Sequence, residues 1–420
     1  MNDVARAINE ARQWSRLMEW SELGAIPGNG VNRPCLCVLD RRARRMLIAW
    51  ATEIGATVSV DEAANLWLRR EGTEQAAAPV LTGSHMDTQP AGGRFDGAYG
   101  VMAGLEVMTA LHDVGHVTRR PIEVVAWTNE EGSRFAPGCT GSMSWAGVHP
   151  SDSWDEVRDH NGIAYGAALA EQLAAEADLP RRPLGSRPHA YIEAHIEQGP
   201  LLEAQGIDIG VVTGIQGSRW FTVTIEGASA HAGTAPLLLR QDAMQDFVRA
   251  VTALNTLTHD PDDVLRFTVG RVSVSPNSSN SVAERVVFSI DLRHPDRDVL
   301  LARGDAVPGT VKAAMASCRA TVVETFHAMP ATFDPEIVEV VAQAAIAQGA
   351  SQVRLASGAF HDAQFVVPIA PTGMIFVPSH KGISHNPAEY TSSSQLAIGT
   401  QVLARALISL ADAQPTLPPA

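Results

Sequence analysis

Residues 79–114 read PVLTGSHMDTQPAGGRFDGAYGVMAGLEVMTALHDV, and this stretch decides the fold. It opens on the apolar run Pro79, Val80 and Leu81 and turns through Gly92-Gly93-Arg94-Phe95-Asp96-Gly97. It then continues as Ala98–Val114, with Val101, Met102, Leu105, Met108 and Leu111 at helical spacing. A strand, a glycine-rich turn and a helix in succession are the building unit of an α/β sheet. In such a sheet chemistry gathers outside the carboxyl ends of the strands, which is where His85 falls, and Asp96 stands close to the N-terminus of the helix that follows. The glycines let the backbone turn sharply. No Gly-Lys-Ser/Thr follows them and no GxGxxG is formed, so the loop does not read as a phosphate cradle.

Later segments repeat this logic. The strand-like run Ile122–Trp127 delivers Glu130 and Glu131 in TNEEGSRF, and Ala190-Tyr191-Ile192-Glu193-Ala194 ends at His195 in AHIEQGP. Met374–Val377 reads as a strand followed by His385 in GISHNP. In a chain with 14 histidines any single one has an ordinary hydrogen-bonding explanation. Together, His85, Asp96, Glu131, His195 and His385 have the composition of a two-metal hydrolytic site. Such a site needs nitrogen ligands for each ion, terminal carboxylates and one carboxylate able to bridge. Asp96 is the natural bridge, and Glu130 is left over as a base. Asp87, two residues after His85, shares its face of an extended strand. It is therefore expected to accept the far ring N–H of His85 and fix the tautomer; the plainer alternative is a cap on the turn into Gly92–Gly93.

Composition bounds the function. With 420 residues, 45% of them hydrophobic and 19% charged, the chain can bury a large core and is expected to form two domains. Its 46 acidic and 32 basic residues leave a net charge of −14, which opposes binding to nucleic acid or anionic membranes. The 4 cysteines form no CxxC pair and are expected as free thiols in a reducing compartment. The start MNDVARAINEARQW has no signal-type apolar core and no apolar run reaches membrane-spanning length, so the expected location is cytoplasmic.

Up to about residue 212 helix and strand alternate, with a helix over about 40–55, a long helix after 97 and strands near 80, near 122 and ending at His195. Between about 214 and 329 the pattern changes. A strand at Trp220–Glu226, a helix from near Thr234 to about Thr258, strands over 265–274 and 284–293, a helix from about 298 and a strand at Ala320–Phe326 give the β-α-β-β-α-β order of a ferredoxin-like layer. Within 284–293, Phe288, Ile290 and Leu292 share one face, while Ser289, Asp291 and Arg293 share the other. The polar, proline-containing tail after about Ala411 is expected to be loosely ordered.

The motifs GSHMDTQPAGGRFDGAYGV, WTNEEGSRF, AHIEQGPLLE, the HAGTAP region, SGAFHDA and GISHNPAEYT together resemble the N-carbamoyl-L-amino-acid amidohydrolases, from about residue 20 to 410. These belong to the dinuclear-zinc superfamily that includes aminoacylases, carboxypeptidase-type enzymes, β-ureidopropionases and allantoate amidohydrolases. The resemblance implies a zinc-peptidase-like α/β catalytic domain, its central mixed sheet flanked by helices, over 1–212 and 330–420, and an inserted ferredoxin-like lid and dimerisation domain over 213–329. It implies that His85 and His195 bind one divalent ion, that Glu131 and His385 bind the other, and that Asp96 lies between them, with Glu130 the general base. Zn²⁺ is the implied metal, and Mn²⁺ or Co²⁺ also suits such ligands. Related peptidases carry an acid at the place of His195; a histidine there resembles the amidohydrolase branch and favours a ureido or amide substrate.

By the same resemblance His231 in SAHAG hydrogen-bonds the substrate carbonyl oxygen, Arg293 with Asn280 clamps the α-carboxylate, and Gln198 and Gly358 make further substrate contacts. Alone, Arg293 reads as a strand-end charge, and His231 as the cap of a helix. The implied reaction is hydrolysis of a small N-carbamoyl-L-amino acid to the amino acid, CO₂ and NH₃ by a homodimer. Allantoate amidohydrolase would use the same metals, base and clamp, although GSHMDTQP and GIQGSRW resemble the carbamoylase and β-ureidopropionase branch more. A metal-binding scaffold without catalysis would have no use for an intact Glu130. Phe360 stands where the family commonly has glycine in SGAFHDA, a departure that bears on substrate size and on any contact from His361.

Overall fold

The computed structural model describes residues 2–414. The expected tail thus falls largely outside the described residues; within them the last helix, Ser393–Asp412, continues past Ala411. The apolar spacing after Gly97 becomes the helix Ala98–Asp113, in which every residue from Ala98 to Leu111 is buried. A helix buried on every side belongs inside a sheet-and-helix sandwich, and the one buried charge of this helix, Glu106, is paired with Arg12 at 2.6 Å. It packs on the Val80–His85 strand and on Ser393–Asp412.

The chain divides into two compact units. The larger comprises the chain through Thr213 and from Thr332 onward. Its mixed sheet includes, in order, Ile209–Ile215, Thr372–Val377, Ala190–Ile196, Val80–His85, Ile122–Trp127, Leu66–Arg70 and Thr57–Val60, with Gln352–Ser357 also pairing with Ile209–Ile215. The central members Thr372–Val377, Ala190–Ile196, Val80–His85 and Ile122–Trp127 are mutually parallel and buried along their whole length, as a sheet covered on both faces requires. Antiparallel strands flank them on either side.

The smaller unit, Gly214–Ala331, holds an antiparallel sheet in the order Arg266–Thr268, Arg285–His294, Gly217–Glu226, Arg319–Ala328, with Val272–Ser275 also pairing with Arg285–His294. With helices Ala243–Leu257 and Arg297–Ala313 this is the ferredoxin-like arrangement. Phe221, Val223, Ile225, Val286, Phe288 and Ile290 on the strands face Ala250, Leu254, Val307 and Val311 on the helices to form its core. The alternation of Phe288, Ile290 and Leu292 with half-buried neighbours is as expected from the sequence.

One boundary differs from the sequence reading. The first helix of this unit begins at Ala243, not near Thr234. Pro236 stands in an extended conformation before a short turn at Leu237–Leu239, and the side chain of Asp242 caps the true start by accepting the N–H groups of Met244 and Gln245. Likewise the expected strand over 265–274 is split into Arg266–Thr268 and Val272–Ser275. Among the described residues no helix is long and apolar enough to cross a membrane, and all 4 cysteines are unpaired.

Candidate metal centre and active site

The parallel strands occur along the chain as Val80–His85, Ile122–Trp127, Ala190–Ile196 and Thr372–Val377, yet Val80–His85 lies between the second and third of these in the sheet. The winding direction therefore reverses between Val80–His85 and Ala190–Ile196. At such a switch point the following loops part and leave a crevice. Pairing of these two strands runs from Val80 with Ala190 to Thr82 with Ile192, short of their carboxyl ends, and His85 and His195 sit at those ends. The turn before Ala98 brings Asp96 to the same place. Gly97, at φ 63°, is required there, because a Cβ would lie 2.3 Å from the His85 ring.

Both imidazoles are oriented by main-chain carbonyls. Nδ1 of His85 is 3.0 Å from Asp87 O and Nδ1 of His195 is 2.9 Å from Ile196 O, so each ring turns Nε2 inward. These nitrogens lie 3.7 and 3.2 Å from the same oxygen of Asp96, Oδ1. The other oxygen, Oδ2, is 3.4 Å from Nε2 of His385, whose ring is also 3.5 Å from Glu131 Oε2. Two ligand groups result, His85–Asp96–His195 and Asp96–Glu131–His385, each with its ligand atoms within 4.8 Å of one another. Asp96 belongs to both. Oε2 of Glu130 lies 3.5 Å from Nε2 of His85, at the edge of the first group.

The electrostatics of these residues ask for positive charge. Burial pushes Glu131 up to about 8, and burial, reinforced by Asp362, Glu131, Asp96 and Asp87, lifts Glu130 well above the carboxylate range. Burial brings His85 down to about 4. His195 is raised to about 9, because the hydrogen bond and charge of Asp96 outweigh its burial; His385 is raised to about 9 chiefly by its hydrogen bond to Asp96. Buried carboxylates that cannot all ionise are tolerated where cations join them. Three imidazoles and two carboxylates, one of which belongs to both groups, are donors of the types that divalent ions of the zinc class take once the rings are deprotonated.

The role expected of Asp87 is corrected. Its carboxylate lies 3.8 Å from Nδ1 of His85, beyond hydrogen-bond reach, and the ring is held by the main-chain oxygen of the same residue. The carboxylate instead accepts the N–H groups of Glu130 and Glu131 at 3.2 and 3.3 Å, so it fixes the acid pair. Nor does it cap the turn into Gly92–Gly93. Gln198 donates Nε2–H to Asp96 Oδ2 at 2.8 Å, and its Oε1 is buried without a hydrogen-bond partner.

The family model described as Peptidase family M20/M25/M40 matches residues 81–409. The chain belongs to this family. Membership makes it a metal-dependent hydrolase of amide-type bonds. It is 40% identical to a protein of Rhizobium meliloti named N-carbamoyl-L-amino-acid amidohydrolase, over 97% of this chain and 98% of that one. It is 33% identical to the allantoate amidohydrolase of Bacillus subtilis, over 94% and 96%. A crystal structure of a hydantoinase/carbamoylase family amidase from Burkholderia multivorans superposes with a TM-score of 0.89 at 42% identity, over 97% of this chain and 98% of that one. The α/β architecture expected from the sequence is thus that of the M20/M25/M40 family.

Several residues around the M20-type centre were not singled out in the sequence. Glu389, in GISHNPAEYT, is buried and accepts Phe95 N–H and Asp96 N–H at 3.0 and 3.1 Å. Gly93 leaves the space, since a Cβ there would overlap the Glu389 carboxylate at 2.0 Å. Ser384 donates to Asp96 Oδ2 at 2.8 Å, and Gln89 donates to Glu131 through both N and Nε2, at 3.1 and 2.7 Å. Glu193, His195 and His361 form a third possible ligand group. The Glu193 oxygens are already taken by Ser84, Tyr191 and Ala363 N, at 2.7, 3.0 and 3.1 Å, and His361 Nε2 is paired with Ser357 at 2.9 Å. That group therefore serves as support behind His195. The signal for Glu193 was available: it is two residues before His195 and shares its face of the strand.

In the smaller unit, Nδ1 of His231 accepts the Gly233 N–H at 3.0 Å. A nitrogen that accepts has no proton, so in the neutral ring the hydrogen is on Nε2. Asn280 adjoins it through Ala232 N–H to Asn280 O, at 3.0 Å, and its own Oδ1 accepts from Ser278 Oγ at 2.9 Å. Arg293 is engaged with Asp291 two residues earlier, Nε to Oδ1 at 3.0 Å and Nη2 to Oδ2 at 2.8 Å. Gly358 is solvent-exposed in the larger unit.

Proposed function

We propose that this chain hydrolyses the ureido C–N bond of N-carbamoyl-L-amino acids, giving the L-amino acid and carbamate, which decomposes to CO₂ and NH₃. The observation that carries the reading is the division of Asp96 between two ligand groups, in a chain related along nearly its full length to an N-carbamoyl-L-amino-acid amidohydrolase. His85 and His195 would hold one divalent ion, and Glu131 and His385 the other, with Asp96 shared; Zn²⁺ suits this donor set, as do Mn²⁺ and Co²⁺. When bound, such a pair supplies acidified water and polarises the carbamoyl oxygen.

The chain's own groups do the rest. Glu130 takes the proton of the attacking water as its oxygen bonds to the carbamoyl carbon, and returns it to the amino-acid nitrogen as the C–N bond breaks. His231 gives its Nε2–H to the carbonyl oxygen as charge develops there. The fork of Arg293, with Asn280, holds the α-carboxylate, while Gln198 and Gly358 complete the substrate contacts. Asp87 keeps the Glu130–Glu131 peptide in place. In this reading the smaller unit acts as lid and dimer contact of a cytoplasmic homodimer.

The test is ammonia release from a panel of N-carbamoyl-L- and D-amino acids, N-carbamoyl-β-alanine and allantoate, after reconstitution with each metal. Preference for N-carbamoyl-L-amino acids is expected. A preference for allantoate would move the assignment to the activity named for the Bacillus subtilis relative.

A further inference from the structure

The loop that carries His231 has little apolar anchorage. Leu237, Leu238 and Leu239, which follow it, are 78%, 98% and 79% exposed. Burial therefore does not hold the segment between His231 and the capping residue Asp242. What holds it is polar. Ala235 N–H bonds to His231 O at 3.1 Å, closing a turn, and Val282 N–H bonds to Ala230 O at 2.8 Å on its near side. On the far side the half-buried Arg240 directs its guanidinium into the turn: Nε donates to Ala235 O at 3.0 Å, and Nη2 donates to Ala232 O at 2.6 Å and to Ala235 O at 2.9 Å. A planar fork is suited to this, because two nitrogens at fixed separation meet two carbonyls at fixed separation.

We propose that Arg240 is a positioning residue for His231: by clasping Ala232 O and Ala235 O it fixes the turn on which His231 stands and thereby the direction of the imidazole Nε2–H. The inference rests on the reading of His231 as donor to the substrate's carbonyl oxygen. Arg240 touches neither substrate nor metal in this scheme. Its contribution passes entirely through the loop, and charge alone cannot replace it. A lysine would keep the charge but offer one ammonium where the turn needs a fork.

The experiment is a double-mutant cycle on the metal-loaded enzyme with an N-carbamoyl-L-amino acid, using His231→Ala, Arg240→Gln, Arg240→Lys and the combinations. Misplacement by about 1 Å costs on the order of 10²-fold. Arg240→Gln and Arg240→Lys should each therefore lower kcat by about 10–100-fold, with KM, metal content and melting temperature close to those of the parent. In the His231→Ala background neither substitution should lower kcat further. Losses that multiply across the cycle would overturn the inference while leaving the role of His231 intact, as would an unchanged kcat in Arg240→Gln. An unchanged kcat in His231→Ala would remove the reading of His231 and this inference with it. Should Arg240→Gln fail to fold, the Arg240→Lys arm supplies the same comparison.

Discussion

Nε2 of His195 lies 3.2 Å from Oδ1 of Asp96, while the other oxygen of that carboxylate turns to His385. One residue thus serves both ligand groups, and its loss should be felt by both. Asp96→Asn removes the charge and half the acceptor capacity without changing shape. Metal affinity should fall by more than the roughly 10–100-fold seen when a supporting residue is lost. Metal analysis after dialysis against a chelator checks this; retention of the parent metal content would show that Asp96 bridges nothing.

Glu130 is a member of neither ligand group, although its Oε2 comes within 3.5 Å of His85 Nε2, and the proposed reaction uses it as a base rather than a ligand. Glu130→Gln should keep full metal occupancy and lose about 10²–10⁴-fold in kcat, the range for a positioned proton carrier. Metal loss on this substitution would instead make it a ligand.

Glu389 is a member of neither ligand group but ties down Phe95 N–H and Asp96 N–H. Glu389→Ala should strand these buried donors and loosen the bridge, weakening metal binding by about 10–100-fold. Competition with a chromophoric chelator would measure it. An unchanged dissociation constant would mean that Gly97 and the following helix suffice to place Asp96.

The switch-point strands were legible in the sequence as apolar runs; the candidate ligands His85 and His195 stand at the ends of such runs, Glu131 and His385 follow them, and Asp96 stands in a glycine-rich turn before a helix. Reading the sequence missed Glu389, Ser384 and Gln89 because their partners are main-chain amides or residues far along the chain, and nothing local marks such contacts. Asp87 shows a subtler limit. Period-two alternation placed it on the face of His85, but the chain leaves the strand at His85. Beyond that point the main-chain oxygen reaches the ring and the carboxylate swings to Glu130 and Glu131. The Ala243–Leu257 helix starts later than the expected Thr234 because Pro236 holds the chain extended and the side chain of Asp242 caps the first turn.

The metal-free protein should lose stability as pH rises from about 6.5 to 9. His195 and His385 are raised to about 9, and Glu131 to about 8. Groups with folded pKa values above their unfolded ones bind extra protons in the folded state. Their stabilisation is complete below the unfolded value and fades as pH climbs through the folded one. His85, lowered to about 4, has finished titrating before this window opens. The melting temperature of chelator-treated protein should thus fall across the window, and reconstituted protein should show a shallower fall because the ions replace the protons. Parallel curves for the two forms would contradict the assignment of these residues to a metal site.

Arg293 is the residue for which the sequence alone offered the plainest alternative, a solvated strand-end charge, and its pairing with Asp291 on the same strand is compatible with that. Substrate chemistry separates the two. If its fork also receives the α-carboxylate, Arg293→Ala should weaken carboxylate-bearing substrates by roughly 2–5 kcal/mol, about 30-fold to several thousand-fold in kcat/KM. Arg293→Lys should recover only part, because an ammonium cannot make the paired contact. A substituted urea of the same size without a carboxylate should be turned over slowly by the parent and no more slowly by the variant. Equal losses for both compounds would show that Arg293 supports the strand, and the anion clamp would have to be sought elsewhere in the chain.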